Sequence, residues 1–267
     1  MIIERDPEIA AWLEMMYGEC NRKERLKRDP LAIVVQYEDS LDREIVGLVC
    51  STLAFGKVDL ILDACSRALA PLGAHPAARL GAMSDSDIEA AWAGFQYRFC
   101  FPRDMIALMK AARDAIQVHG SLQAMFNSYE SGEESILGAL GGFVRALRAY
   151  GLRPNLLPDP SDGSACKRLL LFLRWMVRKD DIDPGGWDKV SPSRLIAPLD
   201  VHMARLCRER LLFIPRRRAS ASPTMKEALE VTRCFALYSP EDPVKYDFAL
   251  TRPGIDPMPG DEILACP

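Results

Sequence analysis

Nowhere along the 267-residue chain do apolar and polar residues alternate for long enough to build a half-buried strand. Apolar residues return instead every three or four positions, between proline and glycine breaks. That period puts one apolar stripe on each helix, and every stripe must be buried against another helix. The expected fold class is therefore all-α, with eight to ten helices. Helical periodicity is read over Asp42–Phe55, Val58–Leu69, Asp104–Val118, Glu133–Arg148, Lys167–Val177 and Val201–Leu212. Leu31–Tyr37 is read as helical too. Ser86 followed by Glu89 reads as a capping box opening a short helix through Trp92. Pro223–Phe235 reads as a helix capped by Ser222, and Pro243–Thr251 as one ended by Arg252-Pro253-Gly254. Asp180–Pro198, with three prolines and two glycines, reads as irregular. Pro154, Pro158 and Pro160 mark a loop, giving a single two-lobed helical domain over 1–267 with a lobe boundary near 150–163.

Hydrophobic residues make up 49% of the chain and charged residues 27%, which excludes a disordered or collagen-like polymer. The longest apolar run, Ile45–Phe55, is interrupted by Gly47, Ser51 and Thr52 and falls short of the roughly 18 residues of a membrane span. Met1-Ile2-Ile3-Glu4-Arg5-Asp6 has no basic n-region, so a cytoplasmic location is expected. Cysteines at 20, 50, 65, 100, 166, 207, 234 and 266 show no metal-ligand spacing and read as buried thiols. No metal and no cofactor are expected.

Charge is uneven. Gly163–Lys179 holds five basic residues and no acid. Val201–Ser220 holds Arg205, Arg208, Arg210, Arg216, Arg217 and Arg218 against Glu209 alone. In a chain of net charge −3, two such neighbours either form a face for a phosphate backbone or are neutralised by acids such as Asp180, Asp181 and Asp183. The basic cluster Arg22–Arg28 reads as a solvated helix face, and the three acids as solvated turn residues.

Two positions carry chemistry. Lys167 stands in the opening turn of a helix, after the turn Asp162-Gly163-Ser164. The helix field and the adjacent Arg168 both oppose its positive charge, lowering an amine pKa of about 10.4 toward the range of a nucleophile. The same turn presents backbone amides to an anion. Asp200 opens the next helix in Pro198-Leu199-Asp200-Val201-His202. Alone it reads as an N-cap; with Lys167 it forms an amine–carboxylate couple. Such a couple suits attack on a sugar carbon of oxocarbenium character, Schiff-base formation and β-elimination. His202 reads as packing or a local hydrogen bond.

Lys167 behind a glycine turn, followed by Leu199-Asp200-x-His202-x-x-Arg205, resembles the helix-hairpin-helix DNA glycosylases, of the endonuclease III and archaeal 8-oxoguanine glycosylase type. Leu48–Asp59 resembles the helix and turn that begin the first lobe of that fold. The resemblance implies a Schiff-base lysine at Lys167 and a catalytic aspartate at Asp200. It implies damaged or abasic DNA as partner, held by Gly163, Ser164, Arg168, Arg205 and Arg208. The chain lacks the four-cysteine loop of endonuclease III, so no cluster is implied. Over nearly its whole length the chain also resembles a bacterial domain-of-unknown-function family, number 2400. Asp29-Pro30-Leu31, Phe172–Asp180, Pro198–His202 and Asp242–Leu250 carry that likeness.

The resulting expectation is a DNA glycosylase or abasic-site lyase. The alternatives are a nucleic-acid-binding module without catalysis and a helical protein–protein adaptor. Phe95, Tyr97, Phe99 and Phe101 serve either a core or an extruded base, and Trp175 belongs to the core. Asp247 supports the site, or pairs with Lys245 or Arg252.

Overall fold

The computed structural model describes residues 4–132, 135–216, 222–259 and 261. The expectations for Arg217, Arg218, Glu133 and Cys266 lie outside the described residues. The described chain is all-α, with no strand; its only β pairings are isolated bridges such as Ser164 with Thr224.

The chain begins with α1 (Pro7–Cys20), capped by Asp6, and reaches the four-residue α2 (Leu31–Val34) through a 3-10 turn over Lys23–Arg28. Asp39 caps α3 (Ser40–Thr52), and α4 (Val58–Leu69) follows a turn at Gly56. Then come α5 (Pro76–Gly81), α6 (Asp85–Trp92), α7 (Pro102–His119), α8 (Leu122–Asn127) and α9 (Leu137–Arg148). The last four are α10 (Lys167–Val177), α11 (Val201–Glu209), α12 (Met225–Ala236) and α13 (Asp247–Ile255). The helices not expected from the sequence are α1, α5 and α8; the six residues of α5 and of α8 are too few to show a period.

Two helix starts differ from expectation for a capping reason. α6 is opened by Ser84 and Asp87, not Ser86 and Glu89: Ser84 Oγ accepts from Asp87 N at 3.2 Å, and Asp87 Oδ2 accepts from Ser84 N at 2.9 Å. α12 starts two residues late because Thr224 and Glu227 form the same reciprocal pair. α13 starts at Asp247, after tight turns over 242–247, and carries Pro253 inside its last turn.

α3 and α10 pack together at the centre. Gly47 makes this possible: a Cβ there would stand 2.9 Å from Met176 Cε and 3.4 Å from the Phe172 ring. Phe172 continues into an aromatic cluster with Phe143 at 6.3 Å and Trp187 at 5.4 Å, and Trp187 also meets Phe126 at 5.4 Å. Trp187 Nε1 donates to the buried Glu44 of α3 at 2.7 Å. Trp175 is in the core, as expected, and the apolar side chains form one connected cluster from Trp12 to Leu250. The seven described cysteines are free and buried. No described helix is long and apolar enough to cross a membrane.

Arg25 corrects the reading of 22–28 as a solvated face. It is 7% exposed and forks onto Asp261, Nη1 to Oδ2 at 2.9 Å and Nη2 to Oδ1 at 2.5 Å.

Candidate active site

The opening of α10 is set by two residues in the left-handed region. Gly163 (φ 77°) turns the chain out of a 3-10 turn over Pro160–Asp162, and Cys166 (φ 48°) turns it into the helix. Left-handed backbone suits glycine; for Cys166 it is a strained choice. The turn is pinned from outside by Met225 N, which donates to Gly163 O at 3.1 Å. Lys167 is thereby the first helical residue, and its side chain leaves toward α11.

Asp200 caps α11: its Oδ1 accepts from His202 N at 2.9 Å and Met203 N at 2.8 Å. Its other oxygen, Oδ2, stands 3.5 Å from Lys167 Nζ. The cap and the charge partner are thus one carboxylate with an oxygen for each task. The lysine side chain is 33% exposed and the aspartate 16%, so the pair is reachable without being free in solvent. Both line a cleft of about 710 Å³ whose walls include the apolar Phe55, Leu171 and Trp175. That volume falls in the usual range for small-molecule-sized sites, about 300–1,000 Å³.

Asp247 lies in the same cleft wall and is 6% exposed. Its Oδ2 accepts from Arg174 Nη1 at 2.7 Å. Burial raises its carboxyl above the usual range; the Arg174 charge pulls down, Asp200 pushes up and Lys167 pulls down. It therefore shares a field with the Lys167–Asp200 pair. Neither partner expected for it is used: Lys245 is on Glu14 at 2.8 Å and Arg252 on Asp29 at 3.0 Å.

Behind this wall the acids read as solvated are paired, which corrects that expectation for Asp180 and Asp183. Arg174 forks onto Asp183 at 2.9 and 3.1 Å, and Arg178 reaches Asp183, Asp180 at 3.0 Å and Asp242 at 2.9 Å. Burial would raise Asp180, but Arg178, the Asp183 and Ile182 amides and the Tyr17 hydroxyl hold it down at about 2. Only Asp181 of the three is exposed.

The remaining expected DNA contacts fall in different places. Gly163 is exposed, with open space where a Cβ would be; Ser164 is partly exposed at the cleft, its Oγ accepting from Cys166 N at 3.3 Å. Arg205 is exposed on α11. His202 is exposed on the cleft rim rather than packed; only its backbone N–H takes part in the cap. Arg208 is 4% exposed and donates to Glu227 at 2.7 Å, which ties α11 to the capping box of α12. Arg168 is turned inward onto the carbonyls of Thr52 and Asn155. Tyr97 and Phe95 are buried, and Phe99 stacks on Phe55 at 4.2 Å.

Sequence reasoning did not find Phe55 as a cleft residue, nor the far end of the cleft, where Asp29 of the α2 turn meets Arg252 of α13. No local signal marks them, since the segments meet only in the folded chain. Among the described residues no group of His, Cys, Asp and Glu is placed to hold a metal ion. No curated protein and no solved structure matches the chain. The model of the family described as protein of unknown function (DUF2400) matches residues 29–256, and the chain belongs to that family.

Proposed function

We propose that the protein is a DNA glycosylase with abasic-site lyase activity. The observation that carries this reading is the approach of Lys167 Nζ to Asp200 Oδ2, 3.5 Å apart in the wall of an open cleft. In this reading a nucleotide is extruded into the cleft, at an unstacking cost of about a few kcal/mol. As the glycosidic bond breaks, the base leaves with the bonding electrons. The Lys167 ammonium gives one proton to the departing base, the amine so freed bonds to C1′, and the proton it then sheds passes to Asp200. Opening of the sugar ring gives the Schiff base. Loss of a C2′ proton then expels the 3′ phosphate, completing β-elimination. Asp200 also faces the cationic sugar, and its double anchoring on the α11 amides keeps the carboxylate in place as charge develops. Arg205, exposed on α11, suits a phosphate flanking the extruded nucleotide.

The test is borohydride trapping on a duplex containing an abasic site, repeated with several base lesions. A covalent adduct is expected from the native protein and none from Lys167→Ala. Asp200→Asn should slow trapping by about 10²- to 10⁴-fold, the usual worth of a positioned acid–base group. Salt-sensitive DNA binding with no adduct would overturn catalysis and leave a nucleic-acid-binding module.

A further inference from the structure

We infer that Arg168 is a positioning residue: it clamps the Lys167 end of α10 to the end of α3 and to the 150–163 segment, and it is not a phosphate contact. This rests on the reading of Lys167 as the nucleophile.

Arg168 follows Lys167 directly, in the first turn of α10. That turn has no side-chain cap, because the N-cap position is the left-handed Cys166. A helix end of this kind is free to fray unless something else fixes it. Arg168 supplies the fixing from its own side chain. Nη1 donates at 3.0 Å to the carbonyl of Thr52, the last residue of α3, across 116 residues of sequence. Nη2 donates to the carbonyl of Asn155. Carbonyls at a helix C-terminus carry negative partial charge, so a guanidinium is well matched to Thr52.

The guanidinium is also centred 5.2 Å from the Phe55 ring. Phe55 is held on its own account: it stacks on Phe99 with an interplanar angle of 15°, and its carbonyl accepts from the Tyr97 hydroxyl. The platform is therefore rigid, and the planar fork uses two carbonyls and a ring face together. A lysine, with one point charge, cannot reproduce that set. Phe55, Arg168 and Lys167 all line the cleft, so a shift of this clamp moves the amine relative to Asp200.

The experiment measures two quantities on an abasic-site duplex for native protein, Arg168→Lys and Arg168→Gln. One is the single-turnover trapping rate at saturating protein; the other is DNA affinity as a function of salt. A clamp predicts a rate loss of about 10- to 100-fold in Arg168→Gln, the scale of a displaced reacting group, with partial recovery in Arg168→Lys and an unchanged salt slope. A phosphate contact predicts an unchanged saturating rate and a slope lower by about 0.9, and would overturn the inference. Arg205→Gln gives the slope change of a lost phosphate contact for comparison.

If the native protein forms no adduct, the lyase reading has failed by itself, and the clamp is read without DNA. Reductive labelling with glycolaldehyde and cyanoborohydride, mapped by mass spectrometry, compares Lys167 with the exposed Lys57. The Lys167 to Lys57 ratio should rise severalfold in Arg168→Gln as the amine leaves Asp200. An unchanged ratio in a variant of native helicity would overturn the clamp.

Discussion

Asp183→Asn should cost the protein about 3 kcal/mol, while the same change two residues away at Asp181 should cost almost nothing. Asp183 has a side-chain exposure of 0% and lies between two guanidinium groups, Arg174 and Arg178, that are 2% and 3% exposed. It accepts from Arg174 at 2.9 and 3.1 Å and from Arg178 Nη1. Asparagine keeps the shape but removes the charge, and its NH₂ group turns one donor toward another donor. Breaking a buried pair by removing one partner costs about 3–5 kcal/mol. The lower end applies here because Arg174 keeps Asp247 at 2.7 Å and Arg178 keeps Asp180 and Asp242. For a chain of this size that loss lowers Tm by about 10 °C. Asp181 is exposed, and its replacement should stay within about 0.5 kcal/mol of native. Urea unfolding at pH 7 with a common m-value separates the two. If Asp183→Asn falls within about 1 kcal/mol of native protein, or coincides with Asp181→Asn, the buried network does not hold the cleft wall as described.

Glu44 gives a pH test. Burial raises its carboxyl from 4.5 to about 7, against the Leu122, Gln123 and Trp187 N–H groups that hold it down. The folded chain then binds this proton more tightly than the unfolded chain, so the contribution of Glu44 to stability declines from about pH 4.5 and levels off above about pH 7. The stability difference between native protein and Glu44→Gln should fall by about 3 kcal/mol across that window, and a flat difference in urea midpoints would refute it. Gly142→Ala should destabilise by about 1–3 kcal/mol despite the better helix propensity of alanine, because its Cβ would stand 2.5 Å from Tyr129 Cγ. Gly47→Ala should cost less on thermal melting, since its 2.9 Å contact is the mobile methyl end of Met176.

Helix positions were legible because burial of one face writes a period into the sequence, as in α3, α4, α7 and α10. Their ends were less so. Ser84 and Ser86 each have an acid three residues on, and only the extended backbone of Ser84 decides between them. The candidate pair was readable as two helix starts, each with a residue of the right chemistry. Its closeness was not, since the two helix starts lie far apart in the sequence and meet only in the folded chain. Charge was the least legible property. An arginine in a helix has the same local pattern whether it is solvated, as Arg205 is, or matched to Glu227, as Arg208 is. The partners of Arg174, Arg25 and Arg168 lie up to 236 residues away, and no local pattern records them.

The walls of the cleft come from residues scattered between Arg28 and Ile255. A ribosome adding about 5–20 residues per second exposes the early helices well before the last wall, α13, is synthesised. Until then Arg174 has no Asp247 to meet, and Asp29 has no Arg252. The groove is therefore completed only once α13 has been made, and a nascent chain halted before α13 presents an unfinished, open trough for chaperones to shield.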